Sequence, residues 1–345
     1  MRRSGRPIAV FLGVCGWLLV VSSLAALGPD IIGSIGAIPP EIAGSFRDPA
    51  GFQRADSGQY FVFDRRGHTV HGIDSRQTSA WDLVHIGSEP GRILDPTAFA
   101  VAPDGTFVVA DAPNNRERVQ IFTPAGVRIG GFMLRGRLRP RVTLDSLVIG
   151  GIGSVQYTGA SILLSQPDTG ALISEYTLAG GVNRLIGTLR HTGHEDDDDL
   201  HVALNAGLPL LDPAGGFFFV FQTGEPMFRK YDRRGDLVFE RRIQGREIDD
   251  FIAQLPTTWP RRKYADGELP FVTPTIRTAA VDRAGRLWVS FVPPYTYVFD
   301  GDGDKIRTVQ FRGAGIVSPG SFFFTPDGRI LVTPGLYEFD ASVAK

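Results

Sequence analysis

Histidines and carboxylates crowd together at one place in the chain, His191-Thr192-Gly193-His194-Glu195 followed by Asp196 to Asp199 and His201. Metal binding is the chemistry that such a mixture suggests. Zinc, however, needs three or four ligands in a tetrahedral arrangement, and calcium needs carboxylates at alternating loop positions around a glycine bend. This run has neither spacing, and its successive acids repel one another, so a solvated connector is expected. Asp300-Gly301-Asp302-Gly303-Asp304 opens like a calcium loop but lacks the Glu that would complete it, and its residues suit a tight hairpin. No metal site and no cofactor is therefore expected.

A second cluster, Trp259-Pro260-Arg261-Arg262-Lys263-Tyr264, could recognise rather than react. Trp259 and Tyr264 offer flat apolar faces, while Arg261 and Arg262 could hold a carboxylate or phosphate by paired hydrogen bonds. The plainer alternative is that the segment caps the core and its charges solvate it. No Gly-x-Ser-x-Gly elbow and no phosphate-cradling glycine loop leading into a helix occurs. No catalytic residue is assigned on these grounds.

The elements that would position these groups repeat. Pro103-Asp104-Gly105 turns into Phe107-Val108-Val109-Ala110-Asp111, then Arg118-Val119-Gln120-Ile121-Phe122 leads through Thr123-Pro124-Ala125-Gly126 into a further strand ending at Phe132. A unit of four short strands recurring every 40 to 50 residues or so is the mark of a β-propeller blade. Turn glycines at 58, 105, 153, 215, 285 and 328 imply six blades, with intervals of 47, 48, 62, 70 and 43 residues. A second glycine turn closes the outer hairpin at Gly126, Gly170, Gly235 and Gly303. The last unit holds about three strands, so an N-terminal strand around Glu41 to Phe46 is expected to complete it and leave no open edge.

These motifs resemble the NHL-repeat family of six-bladed propellers, whose repeat pairs a Pro-x-Gly turn with a Val-Ala-Asp strand end, an Asn-x-Arg-Val loop, a little longer in this chain, and a Phe-x-x-x-Gly turn. Pro103, Gly105, Val109-Ala110-Asp111, Arg118-Val119 and Phe122 to Gly126 reproduce it closely. The other copies are degenerate. The resemblance implies an all-β six-bladed propeller of four-stranded antiparallel blades over residues 41–345. It implies activity only weakly, because such propellers include many binding modules and a few lyases or hydrolases. Relatives with an axial metal draw Glu, Asn and Asp from their inner strands, whereas Thr97 to Val101 and Thr278 to Val281 are apolar or hydroxyl-bearing here. Asp111 and Arg118 are expected to tie a loop rather than to react.

In a four-stranded meander the first-to-second and third-to-fourth turns share one rim, and the second-to-third loops and blade connectors share the other. The tight glycine turns fall on the first rim. Two insertions, 180–199 and 246–269, fall on the second, and the latter carries a short helix between blades 4 and 5 with Ile248, Phe251, Ile252 and Leu255 on one stripe. Long loops gathered on one rim of a rigid ring are where recognition is usually built. Candidate binding residues there are Arg65, Asn115, Arg137, Arg139, Glu225, Trp259, Arg261, Arg262, Tyr264 and Tyr295.

At the N-terminus, Arg2, Arg3 and Arg6 precede an uncharged run from Ile8 to Leu27. Residues 1–25 read as a secretory signal peptide or, alternatively, as an N-terminal membrane anchor, and residues 26–40 as a tether. Cleavage after Ala25 removes three arginines and moves the net charge from −1 to −4. Such a chain lacks the basic excess of a nucleic-acid binder. Cys15, the one cysteine, lies in the apolar run, so the exported portion forms no disulfide. The combined expectation is an exported, non-enzymatic protein that recognises a peptide, protein or saccharide, with a lyase or lactonase-like hydrolase using an axial site as the alternative.

Overall fold

The phenylalanine-rich run Phe217–Phe221 forms a strand buried on both faces. A computed structural model describes residues 28–134, 140–144, 147–150, 153–264 and 267–341. The proposed signal or anchor, and Arg137 and Arg139, lie outside the described residues. Four sheets are four-stranded antiparallel meanders. The first comprises Pro49–Arg54, Tyr60–Asp64, Thr69–Ile73 and Ala80–Val84, and the second Ala98–Val101, Phe107–Asp111, Arg118–Phe122 and Arg128–Met133. Val155–Tyr157, Ser161–Leu164, Ala171–Thr177 and Val182–Thr188 form the third; Gly207–Leu211, Phe217–Phe221, Met227–Tyr231 and Leu237–Arg242 form the fourth.

Apart from two short hairpins, the remaining strands join one larger sheet. Ile276–Val281, Leu287–Phe291, Thr296–Phe299 and Lys305–Arg312 run outward in order, and Asp30–Ala37 links them to Tyr337–Asp340, Arg329–Thr333 and Ser321–Phe324. The first strand of each meander touches the next around the axis, and Ser321–Phe324 returns to Pro49–Arg54. The molecule is thus an all-β propeller of four-stranded antiparallel blades.

Packing follows from that geometry. Each second strand is enclosed by its neighbours: Tyr60–Asp64, Phe107–Asp111, Phe217–Phe221 and Leu287–Phe291 are buried throughout. Core clusters bridge adjacent sheets, as where Val108, Val119 and Ile121 meet Val155, Ile162 and Leu164. Full burial of each large apolar side chain contributes roughly 1.5–3 kcal/mol, which a ring without disulfides requires.

An N-terminal strand does join the chain ends, but from a different segment than expected. Asp30–Gly33 pairs in parallel with Val309–Arg312, and Ser34–Ala37 pairs antiparallel with the outer strand Tyr337–Asp340. The stretch read as a tether is therefore the clasp, while Pro40–Ala43 is a short helix begun by proline. Only Ile32 of this strand is buried. Its pairing rests on main-chain hydrogen bonds, to which composition is nearly blind.

The third sheet also shifts the expected register. Val155–Tyr157 is its first strand rather than its second, and the turn to the second is Gly159, at φ +83°. Gly170 then follows a short 3-10 turn between second and third strands, and Gly180 makes the outer hairpin. Val182–Thr188, read as insertion, is the outermost strand. A copy that has lost its Asp offers two strand-like runs, and glycine alone does not choose between them. A further hairpin, Pro140–Leu144 with Leu147–Gly150, lies between second and third sheets. Among the described residues no helix is long and apolar enough to cross a membrane.

Candidate functional site

The first strands all begin at the rim that receives the connectors, and there they surround a cavity of about 420 Å³. Its walls include Thr97, Ser154, Thr278 and Ser321 from those strand starts, with Gln53, Gln156 and Gln222. Its charges are Asp48, Arg65, Arg66 and Arg277. Arg65 donates from Nε (3.1 Å) and Nη2 (3.0 Å) to Asp48 Oδ2. Arg66 Nε is 3.9 Å from the same oxygen.

A buried carboxylate sets that arrangement. Asp64 ends the second strand of the first sheet at 2 % exposure and accepts from the main-chain N–H groups of Arg47 (2.7 Å), Asp48 (2.9 Å) and Gly67 (2.9 Å). It thereby fixes both the chain entering the sheet and the loop carrying Arg65 and Arg66. Across the mouth, the Gln222 carbonyl accepts from Thr275 N (2.8 Å) and Ile276 N (3.2 Å), which holds the strand bearing Arg277. Gln53 Oε1 accepts from Val101 N at 2.8 Å, joining the first two sheets. Three guanidinium groups and one carboxylate give the mouth a positive bias suited to an anion, and the amides and hydroxyls suit the polar groups of a saccharide or peptide.

The expected binding residues do not converge here. Arg65 lines the mouth; Glu225, Trp259, Arg261, Arg262 and Tyr295 do not, and the side chains of Asn115 and Tyr264 lie outside what the structure describes. Asn115 closes the short turn Pro113–Asn115. Glu225 accepts from Arg242 Nη1 at 3.2 Å, and Tyr295 packs on the core between fourth and fifth meanders. Arg261 and Arg262 fall in a strand, Arg261–Tyr264, paired with Gly267–Pro270. Adjacent strand residues project to opposite faces, so the two guanidinium groups cannot grip one carboxylate together. Arg261 instead donates to Asp197, and Arg262 stacks 3.5 Å from the Phe271 ring centroid.

Trp259 likewise lies half-buried against Leu200, Ala203, Leu204 and Val272. Those residues unite helix Asp198–Leu204, which follows the acidic connector, with Trp259 of the second insertion and the segment just after Gly267–Pro270. The stripe on the second helix, Arg246–Ile252, also packs inward: Ile248 is fully buried in the core and Ile252 rests against it. The helix after the acidic connector and the second insertion therefore pack against each other and the core.

The acidic connector is ordered by its own bonds. Glu195 Oε1 accepts from the main-chain N–H groups of Thr192 (2.7 Å) and Gly193 (3.2 Å) and lies 2.5 Å from His191 Nδ1. The His191 bond, then the Thr192 amide, hold its carboxyl down at about 2. Asp197 caps the following helix at Leu200 N. Asp300 likewise accepts from Asp302 N (3.0 Å) and Asp304 N (2.9 Å), as turn chemistry requires. Among the described residues no three His, Cys, Asp or Glu side chains stand together as a metal set.

Arg66, Arg277 and the three glutamines were not singled out from the sequence. Their signal was available in part: Gln53 and Gln156 interrupt otherwise apolar first strands, and a polar residue at that position faces either the axis or a neighbouring blade.

No known protein family matches the chain, and no curated protein matches it. Solved structures similar to it include a streptogramin B lyase, at 11 % identity over 84 % of this chain and 92 % of that one with a TM-score of 0.49. A virginiamycin B lyase from Staphylococcus aureus aligns at 12 % identity over 85 % of this chain and 83 % of its own, with a TM-score of 0.49. A gluconolactonase from Xanthomonas campestris shares 16 % identity over 84 % of each chain, with a TM-score of 0.48.

Proposed function

We propose that the chain is an exported six-bladed propeller of the NHL-repeat kind that holds an anionic peptide, protein or saccharide group at its connector rim. The large sheet counts as two blades sharing the clasp Asp30–Ala37, which with the four separate sheets makes six. Export rests on Arg2, Arg3 and Arg6 ahead of the uncharged run, and a retained anchor is the alternative. The observation that carries the binding function is the mouth of about 420 Å³, whose described lining holds three guanidinium groups, Arg65, Arg66 and Arg277, and one carboxylate, Asp48, already engaged by Arg65. Such a donor set grips charge, and among the described residues that line it Asp48 is the one carboxylate.

Calorimetry with two matched pairs of probes tests this. One pair is an oligogalacturonate and its neutral galactose counterpart; the other is a hexapeptide with a free or an amidated C-terminus. The expected result is binding of an acidic member over its neutral twin. Arg277→Gln should weaken that binding about tenfold, the worth of one charge-assisted hydrogen bond. Equal binding of acidic and neutral probes would refute the anion reading.

A further inference from the structure

The first strands end at the opposite rim, among the tight glycine turns, and enclose a second chamber of about 460 Å³. Its chemistry differs from that of the connector mouth. Val101, Tyr157, Leu211, Val281 and Phe324 line it, with Ala280 between them. Leu211, Val281 and Phe324 each pack on a different core cluster and stay only partly buried. Apolar surface is thus held open by the ring's closure rather than by any failure of packing. The two chambers share Gln53, Gln156, Leu210, Ala279 and Phe322, so they meet inside the ring at a waist made by the middles of the first strands.

One polar group in the apolar chamber is incompletely satisfied. Arg54 lines it, donates from Nη1 to Asp327 Oδ2 at 2.9 Å and lies 5.2 Å from the Tyr60 ring centroid. Its Nε is buried and has no hydrogen-bond partner. Arg54 and Arg283 are balanced at this rim by Asp56 and Asp327, so the chamber does not select for high charge.

We propose that the turn rim is a second binding site, taking a small aromatic or branched apolar molecule that carries one carbonyl or carboxylate acceptor. The volume lies in the range of about 300–1,000 Å³ usual for small-molecule sites, and an apolar wall with one directed polar group is their usual make-up. The apolar body meets Leu211, Val281 and Phe324, and the acceptor meets the guanidinium of Arg54, which lines the chamber. This site is independent of the anion grip on the other rim.

The test uses the full chain and 2-naphthoate, read by ligand-observed NMR and by displacement of 1-anilinonaphthalene-8-sulfonate fluorescence. Saturable binding is expected at one site per chain. Ala280→Trp, which places an indole in the chamber, should abolish it. Arg54→Met should weaken it about tenfold, and Arg277→Gln, on the other rim, should leave it unchanged. Should Ala280→Trp disturb the ring by circular dichroism, Leu211→Trp fills the same space from a partly exposed position. Absence of saturable binding, or parental affinity in a folded, filled variant, overturns the proposal. Affinity blocked by filling yet indifferent to Arg54→Met overturns the role of the acceptor.

Discussion

Two Asp–Arg ties hold connectors on the same rim, one in the second sheet and one between the insertions. Arg118 donates to Asp111 from Nε (2.9 Å) and Nη2 (2.6 Å), and also to the carbonyls of Ser88 (2.9 Å) and Arg92 (3.0 Å). Asp111 is 2 % exposed and Arg118 7 %. Arg261 and Asp197 make a similar contact with side chains 39 % and 31 % exposed. The chemistry is alike and the surroundings are not. In the buried pair each charge depends on the other, because water cannot replace a lost partner. In the half-exposed pair water can, so apolar packing of Trp259, Leu200 and Leu204 must carry most of the docking.

Breaking the buried tie should have the largest effect. Arg118→Leu leaves Asp111 buried without its cation and strips two carbonyls of a donor, at a cost of about 3–5 kcal/mol. Urea denaturation should show this as a lower midpoint. Burial pushes the Asp111 carboxyl above its ordinary range even though Arg118 opposes it. Without Arg118 the folded carboxyl rises further, and a raised acid binds its proton more readily folded than unfolded. The deficit relative to the parent should therefore narrow as pH is lowered. A deficit independent of pH would mean that the lost carbonyl bonds, and not the stranded charge, dominate.

The same contrast explains what the sequence could disclose. The second sheet was legible because its Pro-x-Gly turn, Asp111, Arg118 and Phe122 each answer a backbone or burial need at a fixed offset. The third copy keeps glycine but has lost the Asp, so Gly153 reads as the turn that the structure places at Gly159. The clasp Asp30–Ala37 was hidden because strand pairing there uses the main chain and buries only Ile32. At the connector rim, Arg65 could be anticipated from loop position. Arg277 could not, because its approach to the mouth depends on how Thr275 and Ile276 are held by Gln222, 53 residues earlier. That Trp259 and Arg262 pack onto neighbouring segments could not be read locally, because the packing of one connector onto another leaves no local pattern.

An intermediate effect is expected at Trp259. Its indole is only partly buried, so Trp259→Ala should cost about 2 kcal/mol, below the 3–5 typical of a fully buried aromatic. Hydrogen exchange should locate the loosening in helix 198–204 and strands 261–270. Protection lost evenly around the ring would contradict a local clamp. Affinity for an acidic probe at the mouth should change little, since Trp259 does not line it.

The smallest effect belongs to Glu195 and appears only with pH. Its carboxyl is held down from 4.5 to about 2 by the His191 bond and then by the Thr192 amide. A carboxylate lowered in the folded state adds stability that is present above the unfolded value and fades as pH falls from about 4.5 toward 2. Glu195→Gln keeps the shape but removes the charge, so variant and parent should differ at neutral pH and converge as the solution becomes acidic. The carboxylate is solvent-facing, which makes the difference small and sensitive to salt. Carbon-detected NMR of the Glu195 carboxyl provides the direct measurement. A midpoint near 4.5 would show that the connector's hydrogen bonds are not maintained in solution, and the half-exposed tie between Asp197 and Arg261 next to it would then lose its fixed frame.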